Sequence, residues 1–535
     1  MTVQNQNNYE TANKLSTELW EMANALRGNI DSSKFKDYIF GIIFYRFLSE
    51  KVELEVKDLL KHEKHTYEEI CNGEADNVSA EDVYESIAES LGYYIKPEHL
   101  FSKMIKKINK EYGPDNIFTV EDLEIAVKDV VKNTNEQAEK VFEGLFDDMQ
   151  LQSIELGTSV ADRTDVISKV MLKVNNIDFD IEHPEYDIIG TVYMILISLF
   201  ASDAGKKGGE FFTPVGPSRL CVELATYGLD EAKNIADCTC GSASMLLEAC
   251  KHLKNGYGHI YGQEKNSSTY NLARMNMVMH NIPYDRFSLY NCDTLTNDCY
   301  KDKNGNNIKM KVQVGNPPYG LKWLADKLLE NDPRYSGAGK LAPKAHADLA
   351  FLEHMVYHMD DEDGRASVLL PSGVLFRGGA EATIREYLVK TINRVDAIVL
   401  LPANLFHGTN IPVCLIVLKS NRGKNSDNIL FIDATNEFEA IKNQNVLTDE
   451  NIKKIVEAYG NRKNVPGFAK VVNVDEIKEN GYNLNVVRYV IEEEDEEMMS
   501  LEEITTKSSE LKEKYSKIDK NINDVIKSLG FDASL

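Results

Sequence analysis

An α/β domain on a mostly parallel seven-stranded sheet is predicted for the middle of this 535-residue chain, preceded by an all-α domain and followed by a helical tail. Three observations predict it. From about residue 187, seven β-rich runs are separated by stretches long enough for a helix. The residues before them carry helical periodicity, and near the end apolar residues step alternately by three and four. The predicted domains are 1–165, 166–475 and 476–535, within the two to four units that roughly 100–200 residues per domain implies.

Composition narrows the class. An apolar share of 43% and a charged share of 27% are those of a soluble globular protein. A net charge of -25 argues against a chain that grips nucleic acid unaided, because phosphate binding needs clustered Lys and Arg. Any DNA contact must then be local or belong to a partner. The longest apolar run, Ile188 to Ala201, is broken by Gly190 and Ser198 and is shorter than the ~20 residues of a membrane helix. The polar start MTVQNQNNYE lacks a signal peptide's apolar core, so a cytoplasmic protein without membrane contact is expected. The eight cysteines are scattered without zinc-ligand spacing, which predicts free thiols and no metal.

In the first domain, DSSKFKDYIFGIIFYRFLSEKVEL puts Phe35, Tyr38, Ile39, Ile42, Ile43 and Phe47 on one helical face, with Asp31 or Ser32 as the N-cap. In the second, the predicted strands are NIADCTC, GHIYGQE, RFSLYNCD, IKMKVQVGN, RASVLLPSG, DAIVLLP and VCLIVLK, with helical stretches such as SASMLLEACKHLKNG between them. Alternation of this kind covers both faces of the sheet, and ligands then sit at the carboxyl ends of the strands. In the third, after the acidic run Glu492 to Glu497, positions 501, 504, 508, 511, 515, 518, 522, 525 and 529 are apolar except Ser508, over about four heptads. That pattern predicts a coiled-coil segment.

The strand ends carry the chemistry. IADCTCGSASML ends a strand at Asp237, turns through Cys240, Gly241 and Ser242, and opens a helix near Ser244, so backbone N–H groups face a ligand at close range. The second strand ends on Glu264, about 20 residues after the turn, where a carboxylate suits a ribose diol. The third offers Asp293 to an amino group such as that of adenine. The fourth runs into Asn316-Pro317-Pro318-Tyr319. Two prolines stiffen the backbone and free its carbonyls, so Asn316 Oδ1 and the Pro317 carbonyl can accept both hydrogens of one planar amine while Tyr319 stacks on its ring. GKKGGE at 205–210 lacks the spacing of a phosphate-binding loop, and no ATP site is expected.

With these residues on the page, the set resembles an S-adenosylmethionine-dependent methyltransferase of the adenine-N6 type. GGEFFTPVGPSRL is similar to the segment that folds over the methionine end of the cofactor in that group, matching at Glu210, Phe211, Phe212, Thr213 and Pro214. The flanks LWEMANALRGNIDSSKFKDYIFGIIFYRFLSEKV, HADLAFLEHM, GRASVLLPSGVLF, LPANLFHGTNIPVCLIVLK and NGYNLNVVRYV resemble the modification subunit of type I restriction-modification systems, over about residues 15 to 490. The resemblance implies a Rossmann-like class I methyltransferase domain that methylates the N6 amino group of an adenine rotated out of DNA. It implies S-adenosylmethionine at Asp237, Cys240–Ser242, Glu264 and Asp293, and Phe406 of LFHGTN closing on the base. It also implies two such subunits around one specificity subunit that reads the DNA sequence, docked through the heptad tail, and a motor-nuclease restriction subunit. The turn departs from the family pattern, with Cys238 in place of proline and Ala243 and Ser244 in place of glycine-like positions. His346 and Asp348 of KAHADLAF match the family but receive no chemistry. The Asn-Pro-Pro-Tyr clamp also suits a glutamine side-chain amide in a protein. The other alternative is a non-catalytic scaffold of a defence complex.

Overall fold

The structure, a computed structural model, describes residues 32–177, 188–203, 213–253, 255–406, 411–441, 444–490 and 501–528. Residues 32–177 form helices and turns. Ser-Asp and Thr-Asp capping boxes at Ser79/Asp82, Thr119/Asp122 and Ser159/Asp162 start three of the helices by satisfying N–H groups that have no intrahelical partner. The helix Ser32–Leu59 differs from the one-faced helix predicted. Tyr38, Ile39, Ile42, Ile43 and Phe47 are buried, but so are Phe40, Phe44, Tyr45 and Leu48 behind them. Over Tyr38–Ser49 it is buried on every side, as the central post of the helical region, while Lys57, Asp58 and Leu59 at its end are exposed, and the side chain of Phe35 lies outside those described. Its predicted cap Asp31 lies outside the described residues.

All seven predicted runs are strands: β1 (Glu231–Asp237), β2 (Gly256–Glu264), β3 (Phe287–Asn291), β4 (Val312–Gly315), β5 (Arg365–Pro371), β6 (Val395–Leu400) and β7 (Val413–Lys419). The sheet has nine strands, not seven. β8 (Asn428–Asp433) joins β6 in parallel and β11 (Ala469–Asn473) closes that edge antiparallel, giving the order β3-β2-β1-β4-β5-β7-β6-β8-β11; β9 (Glu439–Ile441) and β10 (Gln444–Val446) form a separate ribbon. β7 alone runs antiparallel to both its neighbours. The order reverses between β1 and β4, and at such a switch point the helices diverge and leave a crevice at the carboxyl edge. β4 to β7 are buried almost throughout, as strands covered on both faces must be.

The helix Ser267–Met279, which follows β2, keys the sheet to the helical region. Arg274, 3% exposed, donates from Nη1 to the carbonyls of Lys140 (3.1 Å), Val141 (3.1 Å) and Glu143 (2.7 Å), and Asn271 Nδ2 donates to Asp148 Oδ2 at 2.8 Å. The long apolar run is the helix Ile188–Asp203; no described helix is long and apolar enough to cross a membrane. The heptad segment is the helix Leu501–Ser528, on which Leu511, Tyr515, Ile518 and Ile522 are all exposed. Leu529 and the acidic run lie outside the described residues. Cys292 and Cys299 face each other with their Cα atoms 7.3 Å apart, wider than a disulfide spans, and the other six cysteines are free.

Candidate functional site

The carboxyl edge at the switch point is built on the turn after β1. Asp237 is 2% exposed, and burial pushes its carboxyl up to about 7 although the Thr239 N–H donates to Oδ1 at 2.9 Å. The turn is pinned from two sides. Cys240 N–H donates to the Gln263 carbonyl (2.9 Å), and Asn276 Nδ2 to the Ser242 carbonyl (2.7 Å). Gly241 and Ala243 both have positive φ, +53° and +65°. Gly241 suits that region; Ala243 adopts it at a cost, where glycine would be at ease. The helix Ser244–His252 then begins, as predicted.

Glu264, at the tip of β2, accepts from Gly241 N–H (3.1 Å) and Asn266 N–H (2.7 Å), and burial raises its pKa. It therefore also fastens the turn. Gly262 explains how closely the two segments approach: a Cβ there would lie 2.6 Å from Leu289 and 3.0 Å from Cys240 Sγ. Asp293 accepts from Leu295 N–H (3.1 Å) and pairs with Lys265 at 2.8 Å.

At the end of β4, Asn316 Nδ2 donates to Thr213 Oγ1 at 3.0 Å, and the Tyr319 hydroxyl donates to Asn316 Oδ1 at 2.6 Å. The first bond sets the amide so that its oxygen faces the cavity side and Tyr319; an amide oxygen keeps a second lone pair for another donor. Gly320, at φ +62°, donates its N–H to Asp348 Oδ1 (2.9 Å), and Asp348, fully buried, is held in turn by Arg377 (3.1 Å). Asp348 is thus the anchor of the Asn-Pro-Pro-Tyr segment, whereas His346 stands 3.9 Å from its Oδ2. The rings of Tyr319 and Phe406 lie 5.9 Å apart at 80°, edge to face, so a flat base sandwiched between them requires one ring to turn.

These elements enclose a cavity of about 1160 Å³, roomier than the ~300–1,000 Å³ of one small-molecule site. Its wall includes Glu264, Asp293, Asn316, Pro317, Pro318, Tyr319 and Phe406, together with Lys36, Asp37, Phe40 and Asp148 of the helical region. Asp237, Cys240, Gly241 and Ser242 are buried outside that wall, Thr213 braces Asn316, and Pro214 is the N-cap of the helix Val215–Thr226; Glu210, Phe211 and Phe212 lie outside the described residues. The contribution of Asp37, whose carboxyl burial raises to about 7, had no signal in the sequence, where it is one acid in an apolar helix. One described cluster has the chemistry of metal ligands: Asp298, His354 and His358, within 4.8 Å of one another. Lys301 already sits 2.7 Å from Asp298 and Arg334 3.2 Å from His354 Nδ1, so two cations occupy the space where a divalent ion would have to be balanced.

The chain is similar to known proteins over most of its length. The N-6 DNA methylase family model matches residues 184–498, and the HsdM N-terminal domain model matches residues 15–174. The type I restriction enzyme MpnII methylase subunit of Mycoplasma pneumoniae is 37% identical over 538 residues, 98% of this chain and 97% of that one. The HindI methylase subunit of Haemophilus influenzae is 33% identical over 362 residues, 64% of this chain and 78% of the relative. Among solved structures, the type I restriction-modification methyltransferase subunit of Streptococcus thermophilus superposes with a TM-score of 0.81 at 36% identity, over 90% of this chain and 99% of that one.

Proposed function

The chain belongs to the N-6 DNA methylase family, as a methylase subunit of the type I restriction kind, and from that premise we propose that its cavity binds S-adenosylmethionine beside an adenine rotated out of DNA, whose N6 amine is held by Asn316. The observation that carries this reading is the single cavity shared by Glu264, Asp293 and the Asn316–Tyr319 clamp. Its volume suits two ligands side by side.

The residues fit such a cofactor. Glu264 stands on the cavity wall at the edge of the turn for a ribose diol, and outside that wall the buried Ser242 Oγ has no hydrogen-bond partner among the described residues. Asp293 is available to the adenine of the cofactor once Lys265 releases it. When bound, S-adenosylmethionine supplies an electrophilic methyl group on a sulfonium. The protein's own part is to hold the acceptor. Asn316 Oδ1 and the Pro317 carbonyl take the two amine hydrogens, which turns the nitrogen lone pair out of conjugation with the ring and toward the methyl. Pro317 and Pro318 keep those carbonyls from moving. Tyr319 stacks on the base, and Phe406 closes its other side after its ring turns.

The wider reading divides the chain into a helical domain (1–165), a methyltransferase domain (166–475) and an extension (476–535) whose exposed heptad stripe docks a specificity subunit, with two copies of this chain per specificity subunit. It places the protein in the cytoplasm. A restriction subunit joins the same assembly where one is present.

The reading is tested by mixing the chain with its cognate specificity subunit, methyl-labelled S-adenosylmethionine and unmodified DNA, then identifying the labelled nucleoside. Label in N6-methyladenine is expected. Cofactor binding without transfer to DNA, in an assembled complex, would return the protein-amide and scaffold readings to the front.

A further inference from the structure

The segment between β4 and the helix Asp348–His358 is a rigid excursion at the mouth of the cavity. Its base is closed by two backbone bonds, Trp323 N–H to the Lys344 carbonyl and Ala347 N–H to the Leu321 carbonyl, both 3.0 Å. Its inner side is anchored by Trp323, whose Nε1 donates to the Pro343 carbonyl (3.1 Å), and by Tyr335, whose hydroxyl donates to the Leu295 carbonyl (3.0 Å). Trp323 and Tyr335 pack edge to face with their rings 5.7 Å apart. Such a loop holds its shape.

Its outer side is unusual. Leu324 is 82% exposed and Leu328 81%, four residues apart. The same segment carries the exposed Lys322, Lys327, Lys340 and Lys344, against the exposed acids Asp326 and Glu330. On a chain of net charge -25 this is a local excess of cations. It is continuous with the site: Leu321 and Lys322 line the same cavity as Asn316.

We propose that this loop grips the DNA duplex beside the adenine that leaves the stack, with Leu324 and Leu328 packed against the bases or sugars exposed by its departure and the lysines on the flanking phosphates. Apolar side chains commonly occupy distorted or unstacked steps, where they replace the lost stacking, and lysines placed at the rim neutralise phosphates irrespective of sequence. A protein partner is the less fitting occupant, because the exposed lysines of the segment outnumber its exposed acids on an otherwise acidic chain, an excess that suits a polyanion. The inference rests on DNA being the substrate, as proposed above, and adds which part of the chain holds it.

The test uses the assembled complex with its specificity subunit and two DNA duplexes, one carrying 2-aminopurine at the target adenine, whose fluorescence rises on unstacking, and one keeping adenine there, on which the methylation rate is measured. Two variants are compared with the unaltered chain, Leu324→Ser with Leu328→Ser, and Lys327→Gln with Lys340→Gln. The leucine variant is expected to lose on the order of tenfold of the rise and of the methylation rate, and the lysine variant to reduce the slope of log affinity against log salt by about two. S-adenosylmethionine binding and assembly remain unchanged in both. Unaltered fluorescence and salt slope would overturn the proposal, as would loss of assembly in the leucine variant, which would assign the loop to a subunit interface. If the unaltered complex binds cofactor yet never modifies DNA, the DNA reading itself fails and this one with it.

Discussion

Thr213 and Asn316 stand 103 residues apart in sequence, and the bond between them decides which way the clamp's amide points. Thr213→Val removes the acceptor and frees the amide to turn its NH₂ group toward the base, where it would repel the amine. The expected result is a roughly tenfold lower rate of methyl transfer with cofactor affinity unchanged, and recovery in Thr213→Ser. Single-turnover kinetics alongside equilibrium cofactor binding separates the two. At the turn, Ala243→Gly should raise stability by up to about 1 kcal/mol, since glycine adopts positive φ without strain; denaturant unfolding reads it. Asp237 makes the free chain pH-sensitive. Its carboxyl holds a proton to about pH 7 when folded but only to about 3.8 when unfolded. The folded state therefore binds more protons across that window, and stability from this group is full below it, falls as pH rises toward 7, and is level above. Asp237→Asn should flatten that dependence and raise the melting temperature of the free chain at pH 8.

The element that joins these residues is the helix Ser267–Met279. One of its side chains holds the Ser242 carbonyl in the turn, while Arg274 closes on three carbonyls of the helical region. Arg274→Ala leaves those buried acceptors unpaired and should cost about 2–4 kcal/mol, seen first as faster hydrogen exchange in the helix Glu139–Phe142. Little of this coupling is legible in the sequence. The seven strands and their acidic tips are, because alternation, small-residue turns and Asn-Pro-Pro-Tyr are local patterns. β11 is not legible because an edge strand is defined by pairing with a distant neighbour rather than by its own composition; β8, paired on both sides, is a buried apolar run that the seven-strand expectation left out. Asp348 likewise matched a motif, yet its work, holding Gly320 and Arg377, appears only when the chain is folded.

On the scale of the molecule, the cavity belongs to two regions at once. The helical region contributes Lys36, Asp37, Phe40 and Asp148 to a wall whose chemistry lies on the sheet. The burial of the helix Ser32–Leu59 behind its apolar face could not be read from that face, because the helices that cover it are scattered along the chain, from Ala80–Leu91 to Ser267–Met279. The tail is the opposite case: its heptads were legible, and its stripe is exposed on the folded chain. Removing residues 501–535 should abolish assembly with the specificity subunit while cofactor binding persists, as light scattering and calorimetry would record.

The central claim is that the Asn316 amide holds the acceptor amine. It is tested most directly by the single-turnover rate of methyl transfer by the assembled complex carrying Asn316→Ala, measured at saturating cofactor. The account predicts a fall of about 10²-fold or more with cofactor affinity unchanged. A rate within a few-fold of the unaltered complex would contradict it.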